Sequence, residues 1–218
     1  MANPKSEILQ QLKRDILTLV LKPGSILSET ALSERFEISR TPLRDVLKQL
    51  ELENYIDVYP KKGNLVSYID LDSVEQIIYL RSTLEKELIK DLALQMPLKG
   101  TLELNRIVAL QEQVMDRDDA HEAFLELDDA FHHTLFTLTG REFLWNLIQQ
   151  CNVHYIRYRR LHLLKRDKLE ALLQEHRRLL DCIEHRDLDS VDRLVMQHLR
   201  GDIHAKYLQE NFAEYIQS

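Results

Sequence analysis

Long hydrophobic runs are missing from this 218-residue sequence. The longest uncharged apolar stretch, Ile16 to Leu21, is interrupted by Thr18 and falls far short of the roughly 20 residues that a membrane span needs. Cysteine is nearly absent: Cys151 and Cys182 form no Cys-x-x-Cys pair and lie on separate predicted helices, so both are expected to be thiols in a reducing compartment. Glycine and proline, at five each, leave little room for disordered linkers. Asn3, Pro4, Lys5 and Glu7 do not form the cationic-then-apolar pattern of a secretory signal, and the reading is cytoplasmic.

What is present suits a globular protein: 44% hydrophobic and 30% charged residues, in a length that supports two modest domains or one large one. The net charge of −7 argues against nucleic acid until the chain is divided at Asp70. Residues 1–70 carry ten basic and ten acidic side chains and are neutral; residues 71–218 carry nineteen and twenty-six, which accounts for the whole excess. Phosphate contacts depend on local potential, so the distribution of the first segment's cations decides the matter.

That segment begins with Ile8, Leu12, Ile16, Leu19 and Val20 at helical spacing, and the run meets a stop at Lys22-Pro23-Gly24. Ser28 is placed to cap a short helix with Ala31, Leu32 and Phe36; Glu37-Ile38 reads as a tight turn. Ser39 is placed to cap a third helix that turns Leu43, Val46, Leu47 and Leu50 inward, with Pro42 in its first turn, where a missing N–H is tolerated. Two β-prone runs, Tyr55 to Tyr59 and Leu65 to Ile69, are joined by Pro60-Lys61-Lys62-Gly63-Asn64, a hairpin with a basic tip. The fold class expected is mainly α: an N-terminal winged helix-turn-helix over 1–70, then an all-α helical bundle over 71–218, with about six helices broken near 97–100, 117–119, 139–140, 165–167 and 186–189.

A recognition helix points its first turn at base edges, and here that turn holds Ser39, Arg40, Thr41 and Arg44. The two arginines are four apart on one face, and arginine suits bidentate contact with guanine. Lys61 and Lys62 at the wing tip are placed for phosphate or the minor groove. A lone arginine pair is usually just a solvated face, but here helix count, turn, proline position and wing agree. The stretch Ser28-Glu29, Leu32-Ser33-Glu34, Ile38-Ser39-Arg40-Thr41-Pro42-Leu43-Arg44-Asp45 and Gly63-Asn64-Leu65-Val66 resembles the DNA-binding domain of the GntR family. The resemblance implies Arg40 and Arg44 as readers of base or phosphate and Gly63 as the wing-tip glycine. Paired recognition helices reading a palindromic double-stranded operator imply a homodimer, held mainly by residues after 71.

Nine histidines occur in the chain, and helical phase sorts them. Taking Phe124, Phe131, Leu135 and Leu138 as one apolar arc, Asp128 falls about 40° and His132 about 80° from Phe124, while Asp129 and His133 fall outside. His176 lies within the stripe Leu169, Leu172, Leu173, Leu180, Ile183, and His198 within Leu188, Val191, Leu194, Val195. His185 and His204 fall on the opposite faces of those helices. A single inward histidine is more often a hydrogen-bonded core residue than a ligand. Three of them with a carboxylate are costly to bury unless they share a use, and a divalent ion, zinc with nickel or manganese as alternatives, satisfies all four.

Residues 72–218 further resemble the metal-containing helical ligand-binding domain of the FadR-type GntR subfamily, through Asp128-x-x-Phe131-His132, Glu175-His176-Arg177-x-Leu179-Leu180 and Met196-x-His198-Leu199. The resemblance implies Asp128, His132, His176 and His198 as metal ligands. It also implies a small carboxylate effector at the metal, held by Arg81 within Tyr79-Leu80-Arg81-x-x-Leu84-Glu85; the plainer alternative for Arg81 is a surface ion pair with Glu85. Two rivals stand beside an effector-controlled regulator: a regulator that senses the metal alone, and a metal-dependent enzyme, for which Glu85 and Glu175 are candidate bases without a motif.

Overall fold

The computed structural model describes residues 4–60, 62–95, 97–164, 166–200 and 205–217. It divides into two compact units. The first gathers the described residues up to Val74 with Gln150–Tyr158 and those from Ala205 on; the second gathers Glu75–Gln149 and the described residues from Arg159 to Arg200. Segments late in the chain are thus grouped with its beginning.

In the first unit, α1 (Pro4–Leu17) buries Ile8, Leu12 and Ile16 at intervals of four residues. The expected continuation of that stripe through Leu19 and Val20 does not occur. Leu19 turns left-handed at φ 61°, the Leu21 N–H reaches back to the Asp15 carbonyl, and Val20 is exposed. After β1 (Ile26–Leu27), the Ser28 hydroxyl accepts the Ala31 N–H at the start of α2 (Glu29–Phe36). Glu37, at φ 52°, ends α2, and the Ile38 N–H closes the tight turn on the Ser33 carbonyl. Then α3 (Arg40–Leu52) buries Leu43, Val46, Leu47 and Leu50. Its mates in the core are Leu12, Ile16, Leu32, Ile56 and Val66. Each such side chain contributes about 1.5–3 kcal/mol relative to exposure.

The wing is β2 (Ile56–Tyr59) and β3 (Gly63–Val66), antiparallel, with Tyr59 opposite Gly63. The second strand therefore starts two residues before the expected Leu65 and stops short of Ile69, which instead bridges Ile216. The two-residue β1 pairs with β3 on its other side, giving the order β1-β3-β2. Glycine is required at Gly24, where φ is +78° and a Cβ would sit 2.6–2.9 Å from the Tyr68 ring.

The remainder is helical: α4 (Leu71–Leu94), α5 (Leu98–Val114), α6 (Ala120–Leu138), α7 (Glu142–Cys151), α8 (Val153–His162), α9 (Arg166–Glu184), α10 (Leu188–Arg200) and α11 (Ala205–Asn211). What the breaker pattern presents as one helix between Gly140 and Lys165 is two, α7 and α8, separated at Asn152. In the second unit α5 packs on α6 and α9, and α9 on α10. No helix among the described residues is long and apolar enough to cross a membrane. Cys151 is exposed and Cys182 buried, and neither is in a disulfide.

Candidate functional site

Three helices of the second unit bring four polar groups into its apolar interior. Asp128 and His132, one turn apart on α6, lie between the fully buried Phe124, Phe131 and Leu135; His176 rises from α9 and His198 from α10. All four are buried, and each offers a ligand atom within 4.8 Å of the others. The phase argument therefore selects the residues that meet in space. His185 is mostly exposed and pairs with Asp181, while Asp129 and His133 stand outside the cluster, against Arg159 and Trp145. His204 lies outside the described residues.

How each ring is held determines what it can do. The His132 Nδ1 lies 2.8 Å from Glu85 Oε2, the His176 Nδ1 2.8 Å from Gln111 Oε1, and the His198 Nδ1 3.1 Å from Glu175 Oε2. Carboxylates and amide oxygens only accept, so these partners favour the tautomer with the proton on Nδ1 and a lone pair on Nε2, although the His132 Nδ1 approach to Glu85 is not aligned as a hydrogen bond. Those lone pairs converge. His132 Nε2 and His198 Nε2 are 3.1 Å apart, and His176 Nε2 lies 3.4 Å from Asp128 Oδ1. His176 Nε2 is buried and has no hydrogen-bond partner among the described residues. Phe131 stacks on the His176 ring at 4.3 Å between centroids, keeping water from that face.

Asp128 is gripped from the other side by Arg159 of α8, whose Nη2 lies 2.9 Å from Asp128 Oδ2 and whose Nη1 lies 2.8 Å from Asp129 Oδ1. Burial pushes the Asp128 carboxyl up, but Arg159 reverses this and holds it well below the usual carboxylate range. Burial drives His132 and His176 down, so both are neutral. Glu85 is also pushed up by burial and pulled back to about 2 by Arg81 and then His132. The ionised Asp128 carboxylate and the three converging imidazoles offer a donor set of three nitrogens and one oxygen, which fits a divalent ion. A second layer of acceptors fixing ring orientation is the usual companion of such sites.

Arg81 is not on the surface. It is 2% exposed, with Nε 2.7 Å from Glu85 Oε1, so its pair with Glu85 is a buried one that reaches His132 through the other carboxylate oxygen. Glu85 and Glu175, considered from sequence only as bases, are here the partners of His132 and His198. Gln111 and Arg159 were missed altogether.

In the first unit, Ser39 occupies the N-cap of α3, yet its hydroxyl makes no capping bond. Ser39, Arg40, Thr41 and Arg44 are all exposed, and Arg44 pairs with Glu29 at 3.0 Å. Lys48, one turn beyond Arg44, is exposed too and extends the row to three cations at intervals of four, a spacing legible in the sequence but not used there. Lys62 and Gly63 are exposed at the wing tip, Gly63 at φ +85° with nothing within 4 Å of a Cβ position; Lys61 lies outside the described residues.

Residues 4–66 match the family described as bacterial regulatory proteins, gntR family, and residues 76–201 match the FCD domain. The HTH-type transcriptional repressor RspR of Escherichia coli K12 is 28% identical over 202 residues, covering 91% of this chain and 88% of that protein. An HTH-type transcriptional regulator in an unstable DNA locus of Streptomyces ambofaciens is 31% identical over 197 residues, 90% of this chain and 82% of that one. Among solved structures, Escherichia coli McbR/YncC superposes with a TM-score of 0.73 at 20% identity, covering 97% of this chain and 100% of that one, a likeness of fold. With the gntR-family match at one end and the FCD domain over most of the rest, the chain belongs to the GntR family of transcription regulators, in the branch that carries an FCD domain.

Proposed function

We propose that this regulator is a cytoplasmic repressor whose affinity for a palindromic operator is set by a small carboxylate anion at a divalent ion, zinc first, held by Asp128, His132, His176 and His198. The observation that carries the metal reading is the convergence of three Nε2 lone pairs, two of them 3.1 Å apart, in a site where every Nδ1 faces an acceptor. With both Nδ1 atoms protonated, the His132 and His198 Nε2 lone pairs repel unless a cation lies between them. The ion supplies Lewis acidity and open coordination positions; the chain's own residues orient the rings, hold Asp128 ionised and exclude water.

Charge supports an anionic effector. A divalent ion would add two positive charges to a group in which Arg81 and Arg159 already face Glu85, Asp128, Glu175 and Asp129, and an anion is the ligand it would attract. Arg81 is the effector's arginine in this reading. On the DNA side, Ser39, Arg40, Thr41 and Arg44 meet the major groove, and Lys61, Lys62 and Gly63 the backbone or minor groove. Residues 1–70 act as the DNA-binding domain, and residues 71–218 bind metal and effector and form the homodimer. The repressor assignment follows the RspR relative, a transcriptional repressor.

The commitment of Arg81 Nε to Glu85 favours a second reading, in which the ion alone is the signal. One titration separates them. Operator selected from randomised duplexes is bound to the metal-loaded protein, then challenged with small carboxylic acids or with chelator. Release by an acid while metal stays bound supports the effector; release by chelator alone, with every acid inert, supports the metal sensor.

A further inference from the structure

The first unit holds a polar hollow that neither the recognition helix nor the metal cluster uses. It measures about 250 Å3, and its lining includes Asp57, Tyr59, Tyr68, Asp70, His154 and Gln217, all within that unit. On β2, Ile56 turns into the core, and period two sends Asp57 and Tyr59 to the other side of the strand. Past β3, the buried Ile69 pairs in parallel with Ile216. Its N–H donates to the Tyr215 carbonyl at 2.8 Å, and the Gln217 N–H donates to the Ile69 carbonyl at 3.0 Å, which carries Gln217 into the lining. From α8, His154 Nδ1 accepts the Asp70 N–H at 3.2 Å and an Arg157 N–H at 3.1 Å. Burial, then the Arg157 charge, keeps that ring neutral. Arg157 is itself fully buried, donating to the Val153 carbonyl and, at 2.6 and 2.9 Å, to the carbonyl and hydroxyl of Ser67.

The chemistry of this lining narrows what it can take. The Asp70 carboxylate is already engaged, accepting the Asp72 N–H at 3.0 Å and the Ser73 hydroxyl at 2.6 Å. The half-buried Asp57 carboxylate is not: no donor among the described residues bonds it, and burial raises its pKa against the opposing Arg157 charge. Two carboxylates against one guanidinium leave the surroundings net negative, which disfavours carboxylates and phosphates. A small cation would use Asp57 alone and leave the Tyr59, Tyr68 and Gln217 donors without a role. An apolar ligand would strand all of these groups. A molecule rich in hydroxyls answers each of them, because every hydroxyl both donates and accepts. The hollow has the volume of about eight water molecules, room for one small ring or a short polyol and too little for a nucleotide.

We propose that this hollow at the base of the wing is a binding site for a neutral polyhydroxylated molecule the size of a single sugar ring, either a monosaccharide or a polyol. The Asp57 carboxylate accepts from neighbouring hydroxyls of the ligand, and the Gln217 amide and the tyrosine hydroxyls donate to its oxygens. Arg157 and His154 are positioning residues: through Ser67 and the Asp70 N–H they hold the wall in place without touching the ligand. The site is separate from the metal cluster, whose four residues belong to the second unit, so it does not depend on the metal reading.

Saturation-transfer NMR on the full-length protein tests this, with the common aldopentoses, aldohexoses and their alditols as probes, followed by calorimetric titration of those that bind. At least one probe should bind, and equally well in zinc-loaded and chelator-treated protein. Asp57→Asn should weaken it at least about tenfold, the contribution of one hydrogen bond to a charged group. Gln217→Ala should weaken it about fivefold, the contribution of a neutral hydrogen bond, and because Gln217 is exposed this variant carries the test if Asp57→Asn does not fold. Every probe inert towards the wild type, or affinity unchanged in both variants, overturns the proposal. Binding that disappears with the metal overturns it too, by placing the ligand in the other unit. So does an amine or carboxylic acid that binds through Asp57 while every sugar and alditol is inert.

Discussion

The Nε2 atoms of His132 and His198 lie 3.1 Å apart, on rings whose Nδ1 atoms face Glu85 and Glu175. Two acceptor lone pairs at that distance are an unfavourable pair that a shared cation turns into a favourable one. The proposed ion would therefore link folding to metal binding. Stripping the ion with a chelator should lower the Tm, and re-adding zinc should restore it, because an ion at 1,000 times its Kd stabilises the native state by about 4 kcal/mol. Differential scanning calorimetry measures it. A Tm unmoved by chelator in protein shown to have lost its metal would count against a structural contribution of the ion.

Arg40→Ala and Arg44→Ala should each weaken operator binding by about 1–3 kcal/mol and relax preference at one base pair. Arg44 must first leave Glu29, which sits 3.0 Å away in the free protein, so Glu29→Gln should raise affinity slightly. Lys48→Ala should weaken all sequences alike and reduce the salt dependence by about one ion. Fluorescence anisotropy across a salt series distinguishes the three. Equal affinities for Arg40→Ala, Arg44→Ala and wild type would remove α3 from the groove.

Much of this was legible beforehand, and the reason is geometric. Asp128, His132, His176 and His198 announce themselves because each interrupts an apolar stripe on its own helix, and a stripe is a one-dimensional property. Glu85, Gln111, Glu175 and Arg159 acquire their roles only when α4, α5, α9 and α8 approach the same point, and no spacing along the chain encodes that approach. The winged helix was readable from Ser28, Pro42 and the hairpin, but β1 is two residues long and offers no alternation to read. The end of α1 was misplaced because Leu19 and Val20 keep helical spacing while Leu19 itself turns left-handed. Asn152 splits α7 from α8 without the glycine or proline that usually marks a break.

Burial, then the Arg157 charge, lowers the His154 pKa to about 4. The folded protein therefore binds fewer protons here than the unfolded chain, whose histidine titrates near 6.5. The contribution is complete above pH 6.5 and is lost as pH falls toward 4, at up to about 1.4 kcal/mol per pH unit in that window. His154→Asn retains an acceptor for Asp70 and Arg157 but does not titrate. Urea midpoints at pH 7 and pH 4.5 should diverge more for wild type than for the variant; an equal acid loss in both would assign the loss elsewhere.

Gly24→Ala should destabilise the winged unit by about 1–3 kcal/mol, through both a positive φ and a Cβ 2.6–2.9 Å from the Tyr68 ring. Adding Tyr68→Ala relieves the clash but not the backbone strain, so the double variant should recover only part of the loss. Thermal denaturation gives all three values; a Gly24→Ala protein as stable as wild type would contradict the close approach.

The most direct measurement is the metal content of purified wild type, His176→Ala and His185→Ala, by elemental analysis after growth with added zinc and extensive dialysis. His176 Nε2 points into the cluster from full burial, whereas His185, on the same helix, is mostly exposed and paired with Asp181. Wild type and His185→Ala should each hold one divalent ion per chain, and His176→Ala should lose most of it. Full metal content in His176→Ala, or none in the wild type, would contradict the shared-ion reading of Asp128, His132, His176 and His198.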